Sequence, residues 1–176
     1  MPARNLSRVA LFAALMAICS WISIPAPVPF TLQTFAVFLA PALLGGKMGT
    51  IAVGTYLLLG AVGLPVFAGF SGGIGVLLGA TGGYLLGFLL TTLVVWLAEI
   101  ALGTSQPVFL ASALVGQGLC YLFGSVWYAL GYAGGTAGLP AVLSTCVLPF
   151  LLPDTAKLIL AWALRKRLAP VLAKSY

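Results

Sequence analysis

Apolar residues follow one another along this chain in long runs, separated by short polar, glycine-rich or proline-rich breaks. Six runs reach or approach the roughly 20 residues that a helix needs to cross a bilayer. They cover residues 6–24, 30–46, 48–64, 81–102, 107–131 and 153–172. The pattern therefore predicts an all-α integral membrane protein, a compact bundle of six transmembrane helices.

The breaks at residues 23–30 and 64–83 do not suit a helix. In the first, the proline-rich segment SIPAPVPF, three prolines remove amide donors and hold the backbone extended. The second, the glycine-rich segment LPVFAGFSGGIGVLLGATGG, alternates glycines with apolar side chains. Irregular backbone cannot face lipid with unpaired amides, so we expect this outer loop to pack over a cavity as a lid. Residues 133–153 form a third irregular stretch, which either lies in the interface as a short helix or folds back over the bundle.

The composition assigns the whole chain to the membrane. Hydrophobic residues make up 62% of the 176 residues and charged residues 6%, and the mean hydropathy is +1.18. These values lie beyond the range of soluble domains, so residues 1–176 are expected to form a single transmembrane domain. The basic start resembles a signal peptide, but we find no small-residue cleavage site and interpret residues 6–24 as the first span.

The net charge of +6 does not indicate nucleic acid, because the basic residues lie at the ends of apolar runs. Seven of them flank predicted spans: Arg4, Arg8, Lys47, Arg165, Lys166, Arg167 and Lys174. The positive-inside rule places such ends in the cytoplasm. We therefore expect a multi-pass protein of the cytoplasmic membrane with both termini cytoplasmic, and the lipid bilayer as its surroundings.

Asp154 and Lys157 are charged residues within an apolar run. Pro153 suits the first turn of a helix, so the last helix is expected to begin there, with the acid and the base on one face. A charge in hydrocarbon costs about 2.5–3.5 kcal/mol on insertion scales, and such groups face the bundle interior or a wet cavity. The pair either fixes helix packing or meets a small polar solute. On the second interpretation, we expect the solute to complete the hydrogen bonding of the pair.

Other residues predicted on the same side of the membrane complete a set of ligand-binding candidates. Besides Asp154 and Lys157, the set contains Gln33, Thr34, Ser71, Gly72, Gly73, Thr81, Tyr84, Gln117 and Tyr121. The two glutamines also suit hydrogen bonds between helices, and Tyr84 suits an interfacial aromatic belt. Glu99 falls near the cytoplasmic end of the fourth span, and is interpreted as a solvated cap or a partner contact.

Catalytic, cofactor and metal sites are not indicated. The chain has no His and no phosphate-binding GxxxxGK[ST] motif, and Cys19, Cys120 and Cys146 are isolated in apolar surroundings. Any energy from ATP must therefore come from another subunit. A membrane enzyme that uses Lys157 as a nucleophile or base is one alternative, although that class usually needs a second titratable group, which this chain can scarcely provide, and a purely structural membrane protein is another.

The first predicted span carries ALFAALMA at residues 10–17, in which small residues recur every four positions. Ala10 pairs with Ala14 and Ala13 with Ala17, a spacing that lets another helix approach closely. These alanines either pack inside the bundle or form a docking face for another membrane protein.

Three stretches resemble the BioY family of biotin transporters, the substrate-binding S-components of energy-coupling-factor (ECF) uptake systems. They are IPAPVPFTLQTFAVFLAPALLGGKMG, YLLLGAVGLPVFAGFSGGIGVLLGATGGYLLGF and LPFLLPDTAKLILAWALRKRL. The resemblance covers nearly the whole chain in order. It implies six transmembrane helices and an outward-facing biotin pocket roofed by the loop after the third helix. An S-component for a different vitamin is the alternative within transporters.

The resemblance also implies roles for single residues and partners. An Asp and a Lys on the last helix belong to the family's pocket, and Asp154 and Lys157 match them. The alanines at 10–17 are expected to contact a membrane-embedded coupling protein, the T-component, which connects to two cytoplasmic ATPases of the ABC type. The loaded bundle is then expected to topple in the membrane and release biotin inward.

Overall fold

The protein is described by a computed structural model that covers residues 3–25, 28–132 and 138–173, with the backbone alone for residues 139 and 169–173. The described residues form eight α-helices. These are α1 Ala3–Trp21, α2 Gln33–Leu44, α3 Gly46–Ala61, α4 Ile74–Leu77, α5 Gly82–Leu102, α6 Gln106–Gly131, α7 Leu139–Cys146 and α8 Leu148–Ala173. Two short antiparallel strands, β1 Ser23–Ile24 and β2 Phe30–Thr31, precede α2.

The prediction of a mostly helical membrane protein is confirmed. Three described helices, α1, α5 and α6, are long and apolar enough to cross a membrane, and α7 and α8 add a fourth candidate if this pair, bent by 49°, counts as one span. α2 is a shorter apolar helix of 12 residues. The number of membrane crossings, six, stays a prediction.

The last helix begins at Leu148 and not at Pro153, so that prediction is wrong. Pro149 occupies the first turn, where backbone amides have no partner within the helix and the missing amide hydrogen of proline therefore costs no hydrogen bond. Pro153 then lies one turn further in, and Asp154 lies inside the helix. Residues 139–146 form the short helix α7, in agreement with the short-helix alternative considered for residues 133–153, whereas residues 133–137 lie outside the described residues.

Glycines allow α5 and α6 to pack closely along their length. A Cβ on Gly116 would lie 2.8 Å from the Cα of Thr91, and a Cβ on Gly124 would lie 2.2 Å from the ring of Tyr84. The hydroxyl of Thr91 donates to the carbonyl of Gly116 across the helix pair, at 3.1 Å. Small residues at such contacts let helix backbones approach. The position of Tyr84 therefore depends on the absence of a side chain at Gly124.

A buried ion pair joins α5 and α8 far along the chain from Asp154. Arg165 lies 3.8 Å from Glu99, and both side chains are less than a tenth exposed. Glu99 also accepts a 2.5 Å hydrogen bond from the amide of Gly46, and Arg165 donates to the carbonyl of Thr104 at 2.8 Å. The interpretation of Glu99 as a solvated cap is therefore wrong, because the turn between α2 and α3 and the side chain of Arg165 cover its carboxylate.

The glycine-rich segment, residues 64–83, is ordered by local hydrogen bonds. It contains a 3₁₀ turn at Ala68–Phe70, the short helix α4, and a bridge that pairs Phe67 with Ser71. The amide of Gly73 donates to the carbonyl of Gly60 at 2.7 Å, which ties the segment to the end of α3. Backbone groups in this segment are thus paired although much of it lies outside regular helix.

Candidate binding site

A cavity of about 190 Å³ lies between the glycine-rich segment, the residues around β2, and helices α2, α5, α6, α7 and α8. Nine of the eleven predicted ligand-binding residues line it: Gln33, Thr34, Ser71, Thr81, Tyr84, Gln117, Tyr121, Asp154 and Lys157. Their role in binding stays a prediction. The cavity nevertheless brings together residues from five parts of the chain that the sequence analysis had grouped.

Gly72 and Gly73 do not belong to the described wall of the cavity, and their role in binding also stays a prediction. A Cβ on Gly72 would lie 2.2 Å from the carbonyl oxygen of Leu64, and Gly73 has a φ of +99°, which side-chain-bearing residues rarely adopt. Both glycines are therefore needed for the path of the backbone where the segment packs back against α3.

The carboxylate of Asp154, on α8, is surrounded by four donors. One oxygen accepts from the hydroxyl of Thr34 at 2.8 Å and from the ammonium of Lys157 at 2.7 Å. The other accepts from the hydroxyl of Tyr121 at 2.8 Å and from the amide of Gln117 at 3.4 Å. Asp154 is 3% exposed. Because one helical turn separates the acid from the base, α8 presents both to the same wall.

The ammonium of Lys157 uses all three of its protons within the protein. Besides Asp154, it donates to the hydroxyl of Thr34 at 2.9 Å and to the backbone carbonyl of Thr31 at 2.6 Å. Its charge also lies 4.8 Å from the centre of the Phe30 ring. The expectation that a solute completes the hydrogen bonding of the pair is therefore wrong. The threonine hydroxyl, which both donates and accepts, completes it without a ligand.

Three other polar candidates on the wall make hydrogen bonds away from the charged pair. The side chain of Gln33 donates to the hydroxyl of Tyr56 at 2.8 Å, and Ser71 donates to the carbonyl of Ala68. Tyr84 and Ser125 share a 3.1 Å hydrogen bond between their hydroxyls. The structure thus separates a charged cluster at one wall from single polar groups elsewhere on the surface.

Aromatic and aliphatic side chains form the rest of the wall. Phe67 comes from the glycine-rich segment, Leu85 and Phe88 from α5, and Phe150 from α8. The ring of Phe150 stacks on Phe30, with 5.5 Å between the ring centres. A cavity with one polar, charged wall and a largely apolar remainder suits a small ligand with a hydrogen-bonding head and a hydrocarbon part.

Residues 1–174 match the sequence profile of the BioY family. The chain belongs to the BioY family. The biotin transporter BioY of Thermotoga maritima is 46% identical over 94% of this chain and 95% of its own length. The probable biotin transporter BioY of Pyrococcus horikoshii is 41% identical over 96% of this chain and 98% of its own.

The fold also matches a solved structure. The crystal structure of an S-component for biotin from an ECF-type ABC transporter superposes with a TM-score of 0.82 and 31% identity, covering 95% of this chain and 91% of that one. The chain therefore has the S-component fold in addition to BioY family membership.

The four alanines predicted to dock a partner differ in their burial in this BioY family chain. Ala13 and Ala17 are 2% and 5% exposed and belong to the hydrophobic core, so the docking prediction is wrong for these two. Ala10 and Ala14 are exposed. The four alanines form one stripe along α1, and the stripe runs along the edge between the buried and exposed sides of the helix, so only Ala10 and Ala14 are available to a partner.

Several residues of the wall were absent from the predicted set. Thr31 contributes its backbone carbonyl, which no sequence pattern marks. Phe67 carried a signal, because it is one of two aromatic residues in a glycine-rich segment whose other residues are small or aliphatic. Cys146 and Phe150 come from the stretch 133–153, which contains none of the predicted ligand-binding residues.

Proposed function

We propose that this chain binds biotin and is the substrate-binding subunit of an ECF transporter that takes biotin up across the cytoplasmic membrane. The observation that carries the proposal is the Asp154–Lys157 pair at one wall of an otherwise apolar cavity, in a member of the BioY family. The names of the relatives and of the similar structure support the choice of biotin.

Binding proceeds by exchange of hydrogen bonds, because the charged pair is already satisfied. The bond from Gln117 to Asp154, at 3.4 Å, is longer than the about 2.7–3.2 Å of an ordinary N–H···O bond and is the easiest to replace. A ureido N–H of biotin takes its place on the carboxylate. The side-chain oxygen of Gln117, which is buried without a hydrogen-bond partner, accepts the second N–H. The bicycle and valeryl chain then contact the aromatic wall.

Lys157 recognises an oxygen of biotin, from either the ureido group or the carboxylate. To do so, the ammonium gives up one of its internal acceptors, and the carbonyl of Thr31 is the acceptor that does not belong to the charged cluster. Each hydrogen bond to a charged group contributes about 1.5–3 kcal/mol. Replacement of these internal hydrogen bonds therefore favours a ligand that supplies both hydrogen-bond donors and acceptors over a ligand that supplies only donors or only acceptors.

The transport role requires a specific arrangement in the membrane. In this proposal, residues 1–176 form one domain of six transmembrane helices, with both termini in the cytoplasm and the glycine-rich segment as the outer roof of the cavity. The exposed Ala10 and Ala14 on α1 face a membrane-embedded T-component, which connects to two ABC-type ATPases. The chain itself carries out no catalysis, and the loaded bundle topples against its partner to release biotin inward.

Calorimetry on the purified chain tests the binding role. We expect wild-type affinity in the nanomolar range or tighter, and a loss of at least about tenfold in Asp154→Asn and in Lys157→Ala, which is about 1.4 kcal/mol. Thr155→Val is the matched control, because Thr155 is an exposed neighbour on α8 that does not line the cavity. Wild-type affinity in both site variants refutes the assigned role. Tight binding of another vitamin in place of biotin supports the alternative S-component.

A further inference from the structure

The carbonyl oxygen of Val66, in the glycine-rich segment, is held by two buried hydroxyls. Ser20, in the last turn of α1, donates to it at 2.6 Å and also lies 2.7 Å from the carbonyl of Ala17. Tyr56, on α3, donates to the same oxygen at 3.0 Å. Both side chains are completely buried. One backbone atom thus joins α1, α3 and the glycine-rich segment.

Neighbouring contacts strengthen this junction on the α1 side. The indole of Trp21 donates to the carbonyl of Pro65 at 2.9 Å, and its ring stacks on Phe70 at 4.9 Å between ring centres. Consecutive residues at the end of α1 therefore bind consecutive carbonyls of the glycine-rich segment. A displacement of this helix end cannot leave the segment in place without breaking these bonds.

The same junction reaches the wall of the cavity by two routes. Phe67, the residue after Val66, lines the cavity and packs edge-on against Tyr56 at 5.5 Å between ring centres. Gln33, which also lines the cavity, donates to the hydroxyl of Tyr56 at 2.8 Å. A chain of buried hydrogen bonds therefore runs from Gln33 through Tyr56 and Val66 to Ser20.

We propose that the Val66 carbonyl is the joint through which α1 positions the wall of the cavity, with Ser20 and Tyr56 as positioning residues that set how long the ligand stays bound. This inference rests on the proposed function for the identity of the ligand and of the partner. Ala10 and Ala14 lie on the exposed side of α1, so a partner that shifts this helix also shifts Phe67. The joint links partner docking to ligand release.

Hydrogen exchange tests the joint without any ligand. The amides of Phe67 and Gly73 report on it, because they donate to Ser71 and Gly60 within the anchored segment. We expect Ser20→Ala and Tyr56→Phe each to raise the exchange rates of these two amides by about fivefold to tenfold, which corresponds to the loss of one buried hydrogen bond. Unchanged rates in both variants overturn the proposal.

A matched control separates the joint from a general loss of stability. Ser112→Ala also removes a buried hydroxyl, but that hydroxyl donates to the carbonyl of Phe109 within α6. We expect it to leave exchange at Phe67 and Gly73 unchanged even where it lowers the unfolding temperature. Equal acceleration in Ser112→Ala overturns the assignment of a positioning role.

Biotin dissociation provides the functional readout. In a chase experiment on the purified chain, Ser20→Ala and Tyr56→Phe are expected to release labelled biotin about fivefold faster than wild type, with little change in the association rate. Because either hydroxyl alone still satisfies the shared carbonyl and only the double variant leaves it unpaired, the effect of the double variant is expected to exceed the product of the single effects. Wild-type dissociation rates in both single variants contradict the proposal.

Coupling to the partner is tested in the assembled transporter. We expect the T-component and its ATPases to change the hydrogen-exchange rates of the Phe67 and Gly73 amides in the wild-type protein. In the double variant Ser20→Ala with Trp21→Phe, we expect this change in rate to be at least about fivefold smaller. An equal change in both proteins overturns the link to α1. If wild type fails to bind biotin while ligand-free exchange responds to Ser20→Ala and Tyr56→Phe, the proposed function fails and the joint stands.

Discussion

Lys157 on α8 donates a 2.6 Å hydrogen bond to the backbone carbonyl of Thr31, at the end of the short strand before α2. The same ammonium is paired with Asp154, so a charged group that is predicted to contact the ligand also holds β2 against α8. In the proposed function, a ligand that draws the ammonium away from Thr31 releases this contact as it binds. One side chain would thereby connect ligand recognition to the position of β2.

The stability of the charged pair depends on both partners being present. In Lys157→Met, the carboxylate of Asp154 stays buried without a compensating charge, and we expect unfolding to become easier by about 3–5 kcal/mol. The double variant Asp154→Asn with Lys157→Met removes both charges and is expected to be more stable than Lys157→Met alone. Denaturant unfolding in detergent micelles measures the unfolding free energy of each variant. The prediction is contradicted if the loss of stability in the double variant equals the sum of two large losses in the single variants.

Thr34 is expected to affect binding through its two hydrogen bonds. Thr34→Val keeps the shape of the side chain but removes the hydroxyl that donates to Asp154 and accepts from Lys157. We expect biotin affinity to fall by about tenfold, or about 1.4 kcal/mol. Thr50→Val is the control, since Thr50 is equally buried but bonds only to Gly46 within α3. Calorimetry that finds the same loss in both variants argues against the role of Thr34.

Close packing of α5 on α6 is expected to determine the position of Tyr84. In Gly124→Ala, the added methyl group meets the ring of Tyr84, and overpacking of this kind costs about 1–3 kcal/mol of stability. Because Tyr84 lines the cavity, biotin affinity should fall as well. Gly118→Ala on the same helix places its methyl group in open space and serves as the control. The prediction fails if both variants unfold at the same temperature.

Arg165 is expected to support the fold without taking part in binding. Arg165→Met leaves the buried carboxylate of Glu99 without its cation, so we expect a loss of about 3–5 kcal/mol in the free energy of unfolding. Lys166→Met, which removes the exposed neighbouring charge, is expected to cost less than about 1 kcal/mol. Biotin affinity of the folded Arg165→Met protein should equal that of wild type, because Asp154 lies about 16 Å away along α8. A tenfold weaker affinity contradicts this separation.

Local patterns in the sequence predicted the central pair well. Asp154 and Lys157 share a face because three residues separate them, and an ionisable pair in an apolar run is expected to face the interior. The grouping of Thr34 and Tyr121 with this pair followed from residue type and from the predicted order of the helices. These are short-range or topological rules, and the structure places all four residues in one hydrogen-bonded cluster.

Features that depend on long-range contacts were not predictable in the same way. The carbonyl of Thr31 carries no residue-specific signal, and the burial of Glu99 depends on Arg165 in a distant helix. The four-residue repeat in α1 indicated close packing but not which pair faces the core. The start of α8 was misplaced because Pro149 and Pro153 both satisfy the rule for a first helical turn, and the choice between them depends on packing.

The two buried ion pairs have a mechanical consequence for α8. One pair fixes Lys157 to Asp154 and Thr34, and the other fixes Arg165 to Glu99, so the helix is attached to α2 at one point and to α5 at another. Sliding α8 by one turn relative to its neighbours separates Arg165 from Glu99 and Thr34 from the Asp154–Lys157 pair. Under the proposed transport role, we therefore expect the cavity wall to move together with the surrounding helices as a rigid unit, without sliding of α8.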